Sequence, residues 1–478
     1  MIEVTPFGFF AIFVLTFLLL INKYRVTVFA VIFFIVFDTF GVVNVTTDKS
    51  FCLNLPQYLT ILSSFLFTMK RVHWKDTLGV ELCLSVKTMP IQIKLGLVLI
   101  IISVLFSFLA INPEIIVFNR SGSFISSAEA IFSIRHVTQM SYLLFSIFAF
   151  GTFFKAFRVI TAKEMVRTFV ISVAFVAVTA LLSLVFRERL AGTYSYFMNN
   201  ISIGKESMYS NIVSEDSLGA WRVSGIMREP GVLSQVLLCG VVIIAVYIIN
   251  YGILFGKIID KLLIVFLIVM TITTMSSTII IGFCVLLLAL FLPMLASKKN
   301  FSSRFVRIIK FIFVVLIIVL ILSSTEVFKP AYIFKYTMAK LGILKISGIG
   351  VSRLHDSKLM LQSFQQSPIF GCGYGSGFLG AGGLVTLLAN VGIFGTIWFL
   401  YLFKEIIFTK ITKITRNLKN PDYLALFAIR MAALNLLVII LATRNMGIGM
   451  YLPLWLLAAG SLGSFKTEKC QSEKRIPL

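Results

Sequence analysis

The stretch "EPGVLSQVLLCGVVIIAVYIIN" (Glu229–Asn250) decides the fold. After one carboxylate and one proline, the twenty residues 231–250 carry no charge. A helix of that length rises about 30 Å, the thickness of a bilayer's hydrocarbon core. Similar runs recur along the chain, near 5–22, 26–45, 55–69, 95–111, 137–154, 168–186, 262–275, 277–296, 309–324, 383–403, 423–443 and 446–462. Of the 478 residues, 58% are hydrophobic and 13% charged, with a mean hydropathy of +0.98. Soluble domains carry about 25% charge. The chain reads as all-α: one polytopic transmembrane helical bundle over 1–478, with about 12–13 spans and no stretch long enough for a separate soluble core. The runs 262–275 and 277–296 form either one long tilted helix or two helices joined by a turn at "TMSST".

The net charge of +23 would suggest nucleic acid in a soluble chain. Here its placement follows topology. With the N-terminus outside, the segments 23–25, 70–94, 155–167, 251–261, 297–310, 404–422 and 463–478 face the cytoplasm and hold 27 of the 43 lysines and arginines. No nucleic-acid partner is expected. The opening residues lack a basic region and a cleavage site, and read as a retained membrane helix. Two outer segments, 187–230 and 325–382, are long. The second holds "KPAYIFKYTMAKLGILK" and "VSRLHDSKLMLQSFQQS", both apolar at helical spacing, as in amphipathic helices at a membrane surface.

Six cysteines show no C-x-x-C or metal spacing, and a Cys52–Cys372 disulfide is one way to tie the outer face together. The three histidines, His73, His136 and His355, exclude a His-rich metal site. No carboxylate cluster stands in for one, so neither a metal nor a cofactor is expected.

The residues just before the opening stretch carry the chemistry. In "WRVSGIMREP" (Trp221–Pro230), Pro230 suits the first turn of a helix and pushes Glu229 out of the helical region. The helix end and the nearby Arg222 and Arg228 together describe an outward-facing anion site. Glu229 caps the helix, orients an arginine or acts as a base. The bland alternative is an acidic cap with two arginines reaching to the interface.

A second constellation lies in "SRLHDSKLMLQSFQQSPIFGCGYGSG" (352–377). On a helix Arg353 and Asp356 can pair. His355 is the only histidine of the long outer segments, and histidine ionises near neutrality, which suits a general base. A solvated helix with a local ion pair is the plainer reading. The glycines of "GCGYGSG" permit close backbone approach to a ligand, without the Gly-Lys-Ser of a nucleotide loop. Within the spans, Asp38 and Arg430 are charges that lipid makes expensive. Arg430 lies close enough to the cytoplasmic end to extend to the surface.

"RVSGIMREPGVLSQVL" resembles the R-x-S-G-x-x-x-E-P motif of bacterial Wzy-type O-antigen polymerases. Arg353, "SPIFGCGYGSG" and "LVTLLANVGIFGTIWFL" resemble that family's later pattern: an arginine, a P-x-x-G-x-G turn and a glycine-bearing helix. The resemblance implies a GT-C-like helical membrane glycosyltransferase of the bacterial inner membrane, related to the O-antigen ligases, whose active site faces the periplasm. The implied donor and acceptor are glycans on undecaprenyl diphosphate, and the implied partners are a chain-length regulator and a flippase. Arg222, Arg228 and Arg353 would bind the diphosphate; Glu229 would organise the arginines and His355 would activate the acceptor. Family members and ligases often carry a His-Asn pair after the glycine turn. Here "GAGGLVTLLANVG" (380–392) has none, which leaves His355 and Glu229 as bases. An O-antigen ligase and a lipid-linked oligosaccharide flippase are the alternatives. Flippases and other transporters favour inverted repeats and midplane sites, and this sequence shows no repeat.

Overall fold

A computed structural model describes residues 1–46, 51–70, 95, 98–99, 102, 117–118, 124–125, 134–157, 159–186, 188–201, 213–215, 221–296, 301–323, 338, 351–374, 383–443 and 451–473. Strand β1 (Ile2–Val4) leads into α1 (Pro6–Ile21), which is π-wound over Phe10–Leu15, and then α2 (Tyr24–Phe34). Strands β2 (Gly41–Val45) and β3 (Phe51–Asn54) precede α3 (Leu55–Lys70). Two short strands, β4 (Val117–Phe118) and β5 (Phe124–Ile125), come before α4 (Ile134–Ala156), α5 (Ala162–Phe186) and α6 (Glu188–Phe197). Strands β6 (Val213–Glu215) and β7 (Trp221–Val223) lead to α7 (Pro230–Ile249), α8 (Lys257–Thr273), α9 (Thr278–Ala296) and α10 (Phe301–Ser323). The last helices are α11 (Val351–Gln366), α12 (Gly383–Phe408), α13 (Ile411–Arg416), α14 (Pro421–Thr443) and α15 (Leu452–Glu473).

Among the described residues, five helical segments are long and apolar enough to cross a membrane: Ala162–Phe186, Pro230–Ile249, Ser303–Leu322, Gly383–Arg416 and Pro421–Ala442. Shorter apolar helices cover Pro6–Ile21, Tyr24–Phe34, Thr278–Pro293 and Leu452–Leu462. The chain is a helical, multi-pass membrane protein by these lengths and compositions. Lipid tails are as apolar as leucine, so the helices are held by close packing and a few hydrogen bonds rather than by exclusion from water. Helix α7 is the centre: 94% of its span is buried, against 11% for α10. It packs on α5, α8, α9 and α14. Being apolar all round, it has no side suited to water.

Two expectations change. The run 26–45 is not one span. Helix α2 has 11 residues, about 16 Å, and the β-branched residues after Asp38 and Thr39 turn into β2. That strand is the centre of an antiparallel sheet ordered β1-β2-β3, with Glu3 opposite Asn44 and Asn44 opposite Cys52. The helical protein therefore carries small sheets, including the β4–β5 and β6–β7 pairs. Helix α15 begins at Leu452, and the residues where the run 446–462 opens lie outside the described ones. The run 95–111 falls mostly outside the described residues.

The choice at "TMSST" resolves into two helices. The chain breaks at Met275, whose φ is +49°. Thr278 Oγ1 then donates to Ser234 Oγ at 2.8 Å, and Gly282 lies against Leu238. Helix α9 thus runs beside α7 in the same direction. Asn435 Nδ2 of α14 donates to the Gly282 carbonyl at 2.8 Å and ties α14 to the pair.

The connections sort by end. At one end Arg25 pairs with Glu164, Arg167 bonds the Leu254 carbonyl, Arg307 bonds the Ile249 carbonyl, and Gly252 lies against Leu424. The described parts of the basic segments 23–25, 155–167, 251–261, 297–310 and 404–422 meet here. At the other end Thr39 bonds the Ile226 carbonyl, Gly225 lies on Ala180, and α9 starts beside α7.

Candidate functional site

The start of α7 is built by its own sequence. Glu229 is extended, with φ −154° and ψ 150°, and Pro230 opens the first turn. The N–H groups of Val232 and Leu233 both donate to the Glu229 carbonyl, at 3.0 and 3.1 Å. Proline has no N–H, so only Gly231 among the first-turn amides is not turned back on Glu229. The helix end therefore offers less to an anion than its sequence implies, and the positive charge here comes mainly from arginine side chains. The Glu229 side chain is exposed and makes no capping bond. Among the described residues it has no ion-pair partner.

Arg228 has a different carboxylate beside it. Its Nε lies 3.8 Å from Oδ2 of Asp38, with 23% and 25% of the two side chains exposed. Asp38 sits in the turn between α2 and β2, not inside a helix. That turn is braced from two directions. Thr39 Oγ1 donates to the Ile226 carbonyl at 2.7 Å, and Asn200 Nδ2 donates to the Asp38 carbonyl at 2.7 Å. Asn199 Oδ1 accepts the Gly41 N–H at 2.9 Å, while Asn44 Nδ2 donates to the Asn199 carbonyl at 2.9 Å. Gly225, at φ +55°, lets the motif turn lie directly on α5, where a Cβ would sit 2.9 Å from Ala180 Cα. Arg222 is half-buried in β7, opposite Ser214 of β6. The motif's arginines are thus placed by a strand, a glycine turn and a helix start, and Asp38 is the carboxylate that lies beside Arg228. Sequence reasoning placed Asp38 inside a span and passed over Asn199 and Asn200. The signal for the latter was two adjacent side chains able to bond backbone groups in a turn.

The second constellation divides. Arg353, His355 and Asp356 lie in the first two turns of α11, but their side chains lie outside the described residues. So do Lys335, Lys340 and Lys345 and the first of the two amphipathic segments, apart from one helical residue at 338. Helix α11 packs on α12 through Leu359, Met360 and Ala389.

The glycine turn after α11 serves the chain itself. Helix α12 is broken at Gly392 (φ 64°, ψ −168°). The break separates the Ala389 and Asn390 carbonyls from their usual partners, Ile393 and Phe394. The turn supplies replacements: Cys372 N–H donates to Ala389 at 2.8 Å and Gly373 N–H to Asn390 at 3.1 Å. Ile393 N–H in turn donates to the Pro368 carbonyl at 2.9 Å. A broken helix survives in a membrane when its freed groups are satisfied in this way. With the Cys372 and Gly373 amides committed to carbonyls, this part of "GCGYGSG" is a backbone splice and not a ligand loop.

Arg430 is 1% exposed and does not extend to the surface. It donates from Nε to Ser461 Oγ at 3.1 Å and from Nη1 to the carbonyls of Ile407, at 3.2 Å, and Thr409. It caps the C-terminus of α12, where cations are favoured. The Cys52–Cys372 disulfide does not form. Both thiols are free and buried, and burial pushes each up to about 12. Cys372 Sγ lies 3.2 Å from the Ser363 carbonyl, to which it donates. Among the described residues no group of three or more His, Cys, Asp and Glu side chains could hold a metal. No family model matches the chain, and no curated protein matches it.

Proposed function

We propose that this chain is a glycosyltransferase that polymerises undecaprenyl-diphosphate-linked repeat units into O-antigen or a similar surface polysaccharide. It would be a GT-C-like enzyme of the bacterial inner membrane, with its site and its long segments 187–230 and 325–382 facing the periplasm. The observation that carries the reading is Arg228, held beside Asp38 at the mouth of α7, with Arg222 on the adjoining strand. A lipid-linked donor presents its diphosphate at the membrane interface, where such arginines stand.

In the proposed step an acceptor hydroxyl attacks the anomeric carbon of the donor glycan. The new C–O bond forms as the bond to the diphosphate breaks, and the diphosphate leaves with the electron pair. It needs charge stabilisation rather than a proton, which Arg222, Arg228 and Arg353 supply. The acceptor proton goes to a base. His355 is one candidate. With Asp38 beside Arg228, the exposed Glu229 carboxylate is the other. No metal or cofactor enters the step. The working partners are the donor and acceptor glycolipids in the bilayer, a flippase that delivers repeat units and a chain-length regulator.

The experiment is elongation of purified lipid-linked repeat units by the purified protein in excess chelator, read as a ladder on a gel. A ladder supports the reading. Absence of any product, or activity restored only by a divalent ion, overturns it. His355→Ala and Glu229→Gln, compared in single-turnover assays across neutral pH, separate the two bases: the one that slows transfer without weakening donor binding is the base.

A further inference from the structure

At the end of the bundle opposite the α7 N-terminus, cations grip the connection between α7 and α8. Arg167 of α5 donates from Nε to the Leu254 carbonyl at 2.7 Å, and Arg307 of α10 donates to the carbonyl of Ile249, the last residue of α7. Asp260, in the first turn of α8, is already committed. Its two oxygens accept from Leu254 N–H at 2.9 Å and Phe255 N–H at 3.0 Å. Arg304 lies one turn before Arg307 on the same helix face and donates to the Pro293 carbonyl at 3.3 Å. Among the described residues, neither Arg304 nor Arg307 has a carboxylate within ion-pair distance. Their acceptors are neutral carbonyls, of Ser303 and Ile249 for Arg307 and of Pro293 for Arg304. Capping α7 accounts for one cation. The second adds like charge a turn away, which is unfavourable unless an anion sits between them.

The surroundings say what kind of anion fits. Tyr251 is 74% exposed, and Arg307 Cζ lies 3.3 Å from its ring centroid. Exposed aromatics of this kind mark the level of lipid headgroups. Beyond the arginines, α10 is the barest of the long apolar helices, with Val306, Ile309 and Phe313 uncovered. The exposed Lys257 and Lys261 of α8 add positive charge at the same end. A charged head above a bare apolar helix matches a molecule with a phosphate and long hydrocarbon chains.

We infer that Arg304 and Arg307, flanked by Tyr251, bind the headgroup phosphate of an anionic glycerophospholipid whose acyl chains lie along α10. The lipid supplies the missing counter-charge and covers the outer side of α10, fixing a helix that few protein contacts hold. This site is separate from the arginines at the other end and does not depend on the glycosyl-transfer reading.

The test uses the full chain in nanodiscs of phosphatidylcholine mixed with phosphatidylglycerol. Lipids retained after a detergent wash are counted by native mass spectrometry. Wild-type protein should retain phosphatidylglycerol in preference to phosphatidylcholine, and excess inorganic phosphate should not displace it. Arg304→Gln should lower that preference about fivefold, the effect of one cation at an anionic surface. The Arg304→Gln/Arg307→Gln double variant should abolish it. Lys413→Gln/Arg416→Gln, which removes two exposed cations of α13 at the same end, should leave it unchanged. Because Arg307 also caps α7, thermal unfolding checks each variant; if the double variant misfolds, Arg304→Gln alone decides. Equal retention of the two lipids by wild type, an equal fall in the α13 variant, or displacement by inorganic phosphate would overturn the assignment.

Discussion

The backbones of Gly371 and Gly392 touch: a Cβ built on either would come within 2.6 Å of the other's amide nitrogen. Both residues also have positive φ, 73° and 64°. This crossing is where the turn after α11 enters the break in α12. Gly371→Ala and Gly392→Ala should each destabilise the protein by about 2 kcal/mol or more, through backbone strain and overlap together. Gly231→Ala is the control, since its Cβ would meet nothing closer than Ser276 Oγ at 3.6 Å. Thermal unfolding in detergent reads all three, and equal midpoints would refute the crossing.

Asp38 and Arg228 should behave as a unit. Arg228→Gln and Asp38→Asn should each remove most chain elongation, and the double variant should be no worse than the poorer single one. Contacting residues show this non-additivity, whereas independent ones add. Ladder length at matched protein level is the measurement, and additive losses would separate the two residues.

Arg222→Ala and Arg353→Ala should each cut elongation about 100-fold, the scale seen when a donor to a developing charge is removed. Lysine at either position should restore only part of it, because the bidentate fork is lost. Full activity in both alanine variants would dismiss the diphosphate site.

Cys52 and Cys372 should resist maleimide at pH 8 in the folded protein and react once it is unfolded. Their thiols are raised from 9.0 to about 12 by burial, so the folded state keeps its protons where the unfolded state loses them. Stability from these groups is therefore intact below pH 9 and falls as the pH rises from about 9 to about 12. Unfolding midpoints of Cys52→Ser and Cys372→Ser across that range check the slope, which should flatten in each variant.

Much of the helical plan was legible because a charge-free run of twenty residues has few other uses. The run 26–45 misled because its apolar residues suit a helix and a strand equally. What stops α2 is a turn held by Ile226 and Asn200, far along the chain, and local composition carries no trace of such partners. The glycines of residues 371–373 announced unusual backbone, but glycine does not say whether a ligand or the protein itself comes close. Gly392 sat in an apolar stretch that read as continuous helix. Arg430 was visible as a costly charge, yet its partners are backbone carbonyls at the end of another helix, and every residue has one. The motif Arg222–Pro230 was the most readable part of the site, while its carboxylate partner arrived from residue 38.

The surroundings of α7 bear on how this sequence can vary. A helix wrapped on every side accepts no change of volume on any of its faces, so most substitutions along Val232–Ile249 should be rejected in a saturation screen. Helix α10, uncovered over most of its span, should accept almost any apolar residue. Among proteins of this architecture, divergence should therefore concentrate at the rim of the bundle, and the helix that presents Arg228 should drift slowest.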